Sequence, residues 1–159
     1  MKVPADEVEH SLKMLTATPR QIASMSRGIP EARLYAKPDK EAWSANEILA
    51  HLRACADVWG NTIRTMIAQD RPTLRYVSPR TWMRKTNYPE QGFHDSLSAF
   101  SQQRKELVAT LKALKNADWL RGATFTATTK GRDQTIRSYV RRITDHEQVH
   151  LEQLQALLK

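Results

Sequence analysis

The sequence predicts an all-α protein, a single four-helix bundle over residues 1–159, and three observations carry that expectation. Gly and Pro together supply 12 of 159 residues, about 8% against the roughly 12% of average usage. Apolar residues recur at three- and four-residue spacing through long segments that hold neither. The lone Cys55 excludes a disulfide framework and a four-thiolate zinc module, so packing must hold the fold. The length suits one domain that buries about two thirds of its unfolded surface.

The first apolar spacing is Val8, Leu12, Leu15, continuing through Ile22 and Ile29. Thr18-Pro19 interrupts it with an N-cap candidate, a Pro at the first helical position and Gln21 three after the Thr. A short N-terminal helical extension over 1–17 is therefore expected, followed by a helix at 18–28. The connector 30–43 holds Pro30 and Pro38. Ser44 and Glu47 then have capping-box spacing, and Trp43 with Ile48 the spacing of a hydrophobic staple, which starts the next helix. Its stripe is Ile48, Leu52, Cys55, Trp59, Ile63 and Met66, ending near Asp70.

Residues 71–92 contain Pro72, Pro79, Pro89 and Gly92 and no sustained period. This long connector can run back along a bundle and leave its flanking helices parallel. A third long helix, 93–115, buries Phe93, Leu97, Phe100, Leu107, Leu111 and Leu114. A second long connector follows, in which the β-branched run Ala123 to Thr129 before Lys130-Gly131 suits a small hairpin or an extended loop. The last helix, 134–158, carries Ile136, Val140, Ile143, Leu154 and Leu157.

The net charge is +8 and unevenly spread. Arg71 to Lys85 holds five cations and no acid, Lys130 to Arg142 five cations and Asp133, and the remainder nets −1. The two basic segments are either solvated faces or a rim that draws anions to a site. Nucleic-acid binding is disfavoured, because the first segment interleaves only Tyr76 and Trp82 with its cations and neither segment matches a recognised binding motif. No apolar run approaches the ~20 residues of a membrane span, and Met1 to Leu15 lacks a signal-peptide core. With a single thiol, a soluble cytoplasmic protein is expected.

Five polar residues fall on or beside buried stripes. His51 lies between Ile48 and Cys55; His146 and His150 are four apart, in line with Ile143 and Leu154; Glu147 follows Ile143 by four; Arg104 lies between Phe100 and Leu107. Three neutral imidazoles from two helices can bind one divalent ion and leave positions open, where water is drawn toward ionisation or a thiol is held as thiolate. Zn, Ni, Mn and Fe all suit such donors. Glu147 is either a proton acceptor or half of a buried ion pair with Arg104. Cys55, one turn after His51, reads as a small buried apolar residue, and Trp43 and Trp59 as staple and core. His10 and His94 need only surface and capping roles. His146-Glu147-Gln148-Val149-His150 also matches H-E-x-x-H, but no third His follows it, which argues against a peptidase.

Trp43-Ser44-x-x-Glu47-Ile48-Leu49-x-His51-Leu52 and His146-x-x-x-His150-x-x-Gln153 resemble the DinB-like family of four-helix-bundle metalloproteins, over roughly residues 18–159. The resemblance implies an up-down-down-up bundle, a divalent metal on His51, His146 and His150, and a homodimer. It includes bacillithiol- and mycothiol-dependent transferases, although the additional C-terminal domain of the mycothiol-dependent maleylpyruvate isomerases is not expected here. The function expected is a metal-dependent hydrolase or a thiol-dependent S-transferase. Glu147 and Arg104 would assist catalysis, and the substrate would be small, either anionic or a low-molecular-weight thiol. The alternative is a non-enzymatic, stress-associated binding protein.

Overall fold

Four long helices carry the fold in the computed structural model, which describes residues 1–129 and 131–159: α1 (Ala5–Ser26), α3 (Ala45–Ala68), α5 (Phe93–Lys112) and α6 (Ile136–Leu157). Two short helices, α2 (Glu31–Tyr35) and α4 (Pro79–Lys85), lie in the connectors. Both α1 and α3 pack against α5 and against α6.

α3 begins where the sequence places it. Ser44 Oγ accepts from the Glu47 amide and Glu47 Oε1 accepts from the Ser44 amide, each at 3.1 Å, closing a reciprocal capping box. At its far end Arg121 donates from Nε to the Met66 carbonyl (3.0 Å) and from Nη2 to the Gln69 carbonyl (3.1 Å). A cation there satisfies carbonyls that the helix cannot pair itself.

The expected boundary at Thr18-Pro19 does not exist, because α1 runs unbroken through Pro19. Thr18 does not cap a helix start; its Oγ1 donates back to the Met14 carbonyl at 3.2 Å. Pro19 removes the amide that would bond the Leu15 carbonyl, a loss that ordinarily breaks a helix. Arg104 on α5 supplies the missing donor, Nη1 lying 2.8 Å from that carbonyl. Residues 5–17 are therefore the first half of a bundle helix rather than an appendage.

The all-α expectation also needs amendment, since a three-stranded sheet is present, in the order β1 (Thr73–Arg75), β2 (Gly122–Thr126), β3 (Asp133–Thr135). β2 and β3 form the hairpin that the β-branched run allows; Lys130 itself lies outside the described residues. β1 pairs with β2 in parallel, a long-range match that no local pattern announces. Gly122 is required at the pairing, because a Cβ there would lie 2.4 Å from the Gln134 carbonyl oxygen.

The 71–92 connector is structured by a polar hub on α3. Asp57 Oδ2 accepts from Trp82 Nε1 (2.9 Å) and from the Tyr88 hydroxyl (2.6 Å), while Oδ1 accepts from Gln103 Nε2. These bonds fasten α4 beside α3, a mooring that fixes the position of Arg80.

The core is split into two apolar clusters, and each long helix changes cluster at one level. Leu15, Cys55, Leu107 and Ile143 belong to one; Ile22, Leu52, Phe100 and Leu151 belong to the other. Between these residues in the sequence fall Thr18, Arg104 and Glu147, with His51 beside the same junction, and all four are buried. A polar layer thus crosses the bundle between two dry halves.

Candidate metal centre

The predicted histidines converge in that layer. His51 Nε2 lies 3.1 Å from His146 Nε2, which lies 3.1 Å from His150 Nε2. Spacing of four brings the latter two rings together on one face of α6, and packing of α3 against α6 brings the first.

Hydrogen bonding alone serves this cluster poorly. A ring nitrogen presents one lone pair or one N–H, so His146 Nε2 can serve one of its two neighbours well but not both. His150 Nδ1 lies 2.9 Å from Gln153 Oε1, an acceptor, which places the proton on Nδ1 and the lone pair on Nε2. Burial holds His51 neutral, its pKa lowered to about 3, with His150, His146 and Arg80 acting in the same direction. Burial also lowers His150, against the opposing Gln153 bond. Imidazoles that gather their Nε2 atoms in this way are, in the neutral form, the donor set that a divalent cation takes.

Two aromatic rings wall the cluster. Trp43 lies 4.8 Å from the His51 ring and stacks near-parallel to His150 at 6.3 Å, while Trp59 stands edge-on to His146 at 5.0 Å. Trp43 is therefore more than a staple. The Arg80 guanidinium lies 4.7 Å over the Trp43 ring, and its charge reaches both His51 and His150. The first basic segment thus contributes one cation to the site. Three cations of the second are engaged elsewhere: Arg137 and Arg141 donate from Nη2 to Glu7 Oε1 on α1, at 3.0 and 2.7 Å, and Arg142 covers Tyr139.

Glu147 and Arg104 meet as a buried ion pair. Arg104 Nη1 donates to Glu147 Oε1 at 2.9 Å and Nη2 donates to Oε2, so the fork engages both carboxylate oxygens. This geometry removes the free glutamate that the H-E-x-x-H pattern requires as base.

Cys55 is buried in an apolar cluster, as the sequence predicts, and it also borders the histidines. Its Sγ lies 3.5 Å from His51 Nε2, and the donor atoms of His51, Cys55 and His146 all lie within 4.8 Å of one another. Spacing of four on one helix face places Cys55 beside the His51 ring. Of the remaining histidines, His10 and His94 are exposed, and no side chain caps α5.

The pattern of the DinB superfamily matches residues 14–154, and the chain belongs to that superfamily. The fold resembles YfiT from Bacillus subtilis, described as a probable metal-dependent hydrolase with an unusual four-helix bundle topology. That match has a TM-score of 0.85 at 14% identity, covering 98% of this chain and 87% of the other. No curated protein matches in sequence. Among the described residues no helix is long and apolar enough to cross a membrane.

Proposed function

We propose that this protein is a divalent-metal-dependent hydrolase of small anionic substrates, with His51, His146 and His150 as its metal ligands. The observation that carries the reading is the meeting of three Nε2 atoms at successive separations of 3.1 Å in a buried layer. A divalent ion bound there lowers the pKa of coordinated water and polarises a carbonyl or phosphoryl oxygen. Gln153 fixes the His150 tautomer, so that Nε2 keeps its lone pair. Arg80, held over Trp43, attracts a carboxylate or phosphate to the mouth of the site. Glu147 and Arg104 act through position: their pairing fixes the rotation of α6, and with it the aim of His146 and His150.

A thiol-dependent S-transferase is the competing chemistry on the same ligands, with the low-molecular-weight thiol as second substrate. Assays of protein loaded in turn with Zn, Ni, Mn or Fe separate the two. Anionic ester, amide and phosphoester substrates are supplied with and without a thiol. Hydrolysis predicts turnover that needs metal but no thiol and disappears in His146→Ala. A strict thiol requirement identifies the transferase, and bound metal without turnover identifies a binding protein.

We also read the helix directions as up-down-down-up. Supporting this, β1 follows α3, β2 follows α5, and the two strands run parallel side by side, so α3 and α5 end together. β3 leads directly into α6, and Asn116 bonds both backbone groups of Val3 beside the start of α1. The cytoplasmic location and the homodimer that the resemblance implies belong to the same proposal; sedimentation at micromolar concentration tests the dimer.

A further inference from the structure

We infer that Cys55 is a fourth protein ligand, making the donor set three imidazoles and one thiolate; this rests on the metal centre proposed above. Bonds of about 2.0–2.1 Å to nitrogen and about 2.3 Å to sulfur, at tetrahedral angles, separate two nitrogens by about 3.3 Å and nitrogen from sulfur by about 3.6 Å. The corresponding separations are 3.1 Å between Nε2 atoms and 3.5 Å from Cys55 Sγ to His51 Nε2. The thiol therefore stands at coordination separation from His51, and its distance to His146, within 4.8 Å, closes by a small shift of the side chains.

The sulfur sits among apolar side chains with an imidazole nitrogen against it. Cys55 is 4% exposed and belongs to the apolar cluster with Trp59, Ile63 and Leu107. Its Sγ lies 3.5 Å from His51 Nε2, the same atom that faces His146 Nε2 at 3.1 Å. His51 and Cys55 approach from the closed side of the layer, whereas His146 and His150 are half-buried and Arg80 is exposed. Substrate then enters on the His150 and Arg80 side as a further ligand, an expansion to five that zinc permits. A sulfur donor also sets metal preference, favouring zinc and cobalt over manganese. On metal binding the thiol proton leaves to solvent as the sulfur–metal bond forms, with no change in oxidation state.

The test is cobalt(II) loading of the full chain, compared with Cys55→Ser and Cys55→Ala. Wild type is expected to show visible cobalt d–d absorption together with a near-ultraviolet thiolate-to-cobalt charge-transfer band. Both variants keep the d–d absorption and lose that band. Cys55→Ser is also expected to lose zinc affinity by at least the about 10–100-fold typical of removing a group that merely supports a ligand, with a smaller loss for manganese. Cobalt uptake by wild type without the charge-transfer band overturns this inference alone. No uptake of cobalt or zinc by wild type overturns both it and the three-histidine site. Circular dichroism of the metal-free variants establishes that the fold is retained.

Discussion

Arg104 supplies the hydrogen bond that Pro19 withholds from α1. Its Nη1 donates to the Leu15 carbonyl, the acceptor that a residue with an amide at position 19 would occupy, while the same guanidinium holds Glu147 on α6. One buried side chain thus joins α1, α5 and α6 at the level of the histidines.

Removing that side chain strands a buried carboxylate and a carbonyl together. Arg104→Met is expected to lower unfolding free energy by about 3–5 kcal/mol, the usual result of breaking one side of a buried pair. Pro19→Ala restores a donor to the Leu15 carbonyl, and in the Arg104→Met background it should recover about 1 kcal/mol more than in wild type. Urea unfolding of the four proteins measures both quantities. Additive effects of the two substitutions would remove the link between these residues.

Gln153 touches no proposed substrate, yet its loss should be felt at the metal. Gln153→Leu leaves His150 Nδ1–H without its acceptor and frees the ring to turn or change tautomer. The expected loss is about 10–100-fold in zinc affinity with unchanged helicity, read by competition with a chromogenic chelator. Unaltered affinity would separate Gln153 from the site.

The metal-free protein should weaken in acid through His51. Its pKa is about 3 folded, against 6.5 when free of the protein's influence, so the unfolded chain binds more protons between those values. Stability is then full above about pH 6.5 and falls toward pH 3, by at most about 1.4 kcal/mol per pH unit for this group. His150, lowered in the same direction, adds to the slope. Chemical unfolding across this range should show a shallower dependence in His51→Gln, and an equal slope in both proteins would exclude His51 as the cause.

The two basic segments should differ in function. Arg80→Ala is expected to raise KM for an anionic substrate several-fold with little change in kcat, and to reduce the salt dependence of kcat/KM. Arg141→Ala removes only a partner of Glu7, an exposed pair worth about 0–1 kcal/mol, and should leave kinetics unchanged. Equal effects from both would dissolve the distinction.

What the sequence discloses is largely what lies within one turn of helix. The Ser44/Glu47 box, the His146/His150 spacing and the apolar stripes are local, and they specify α3 and α6 to within a few residues. The Thr18-Pro19 boundary was misjudged because its remedy, Arg104, lies 89 residues from the Leu15 carbonyl that it serves. The parallel pairing of β1 with β2 and the reach of Arg80 to Trp43 are likewise long-range. Cys55 is buried on its apolar stripe as the sequence predicts, while its closeness to an imidazole is not legible there, since a small thiol looks the same beside a leucine.

Metal content is the direct measure of the central claim. Elemental analysis of protein purified without chelators should find close to one divalent transition-metal ion per chain. That content should disappear in a His51→Ala/His150→Ala double variant that retains its helicity. Full occupancy in the double variant, or no metal in wild type even after reloading, would contradict the account.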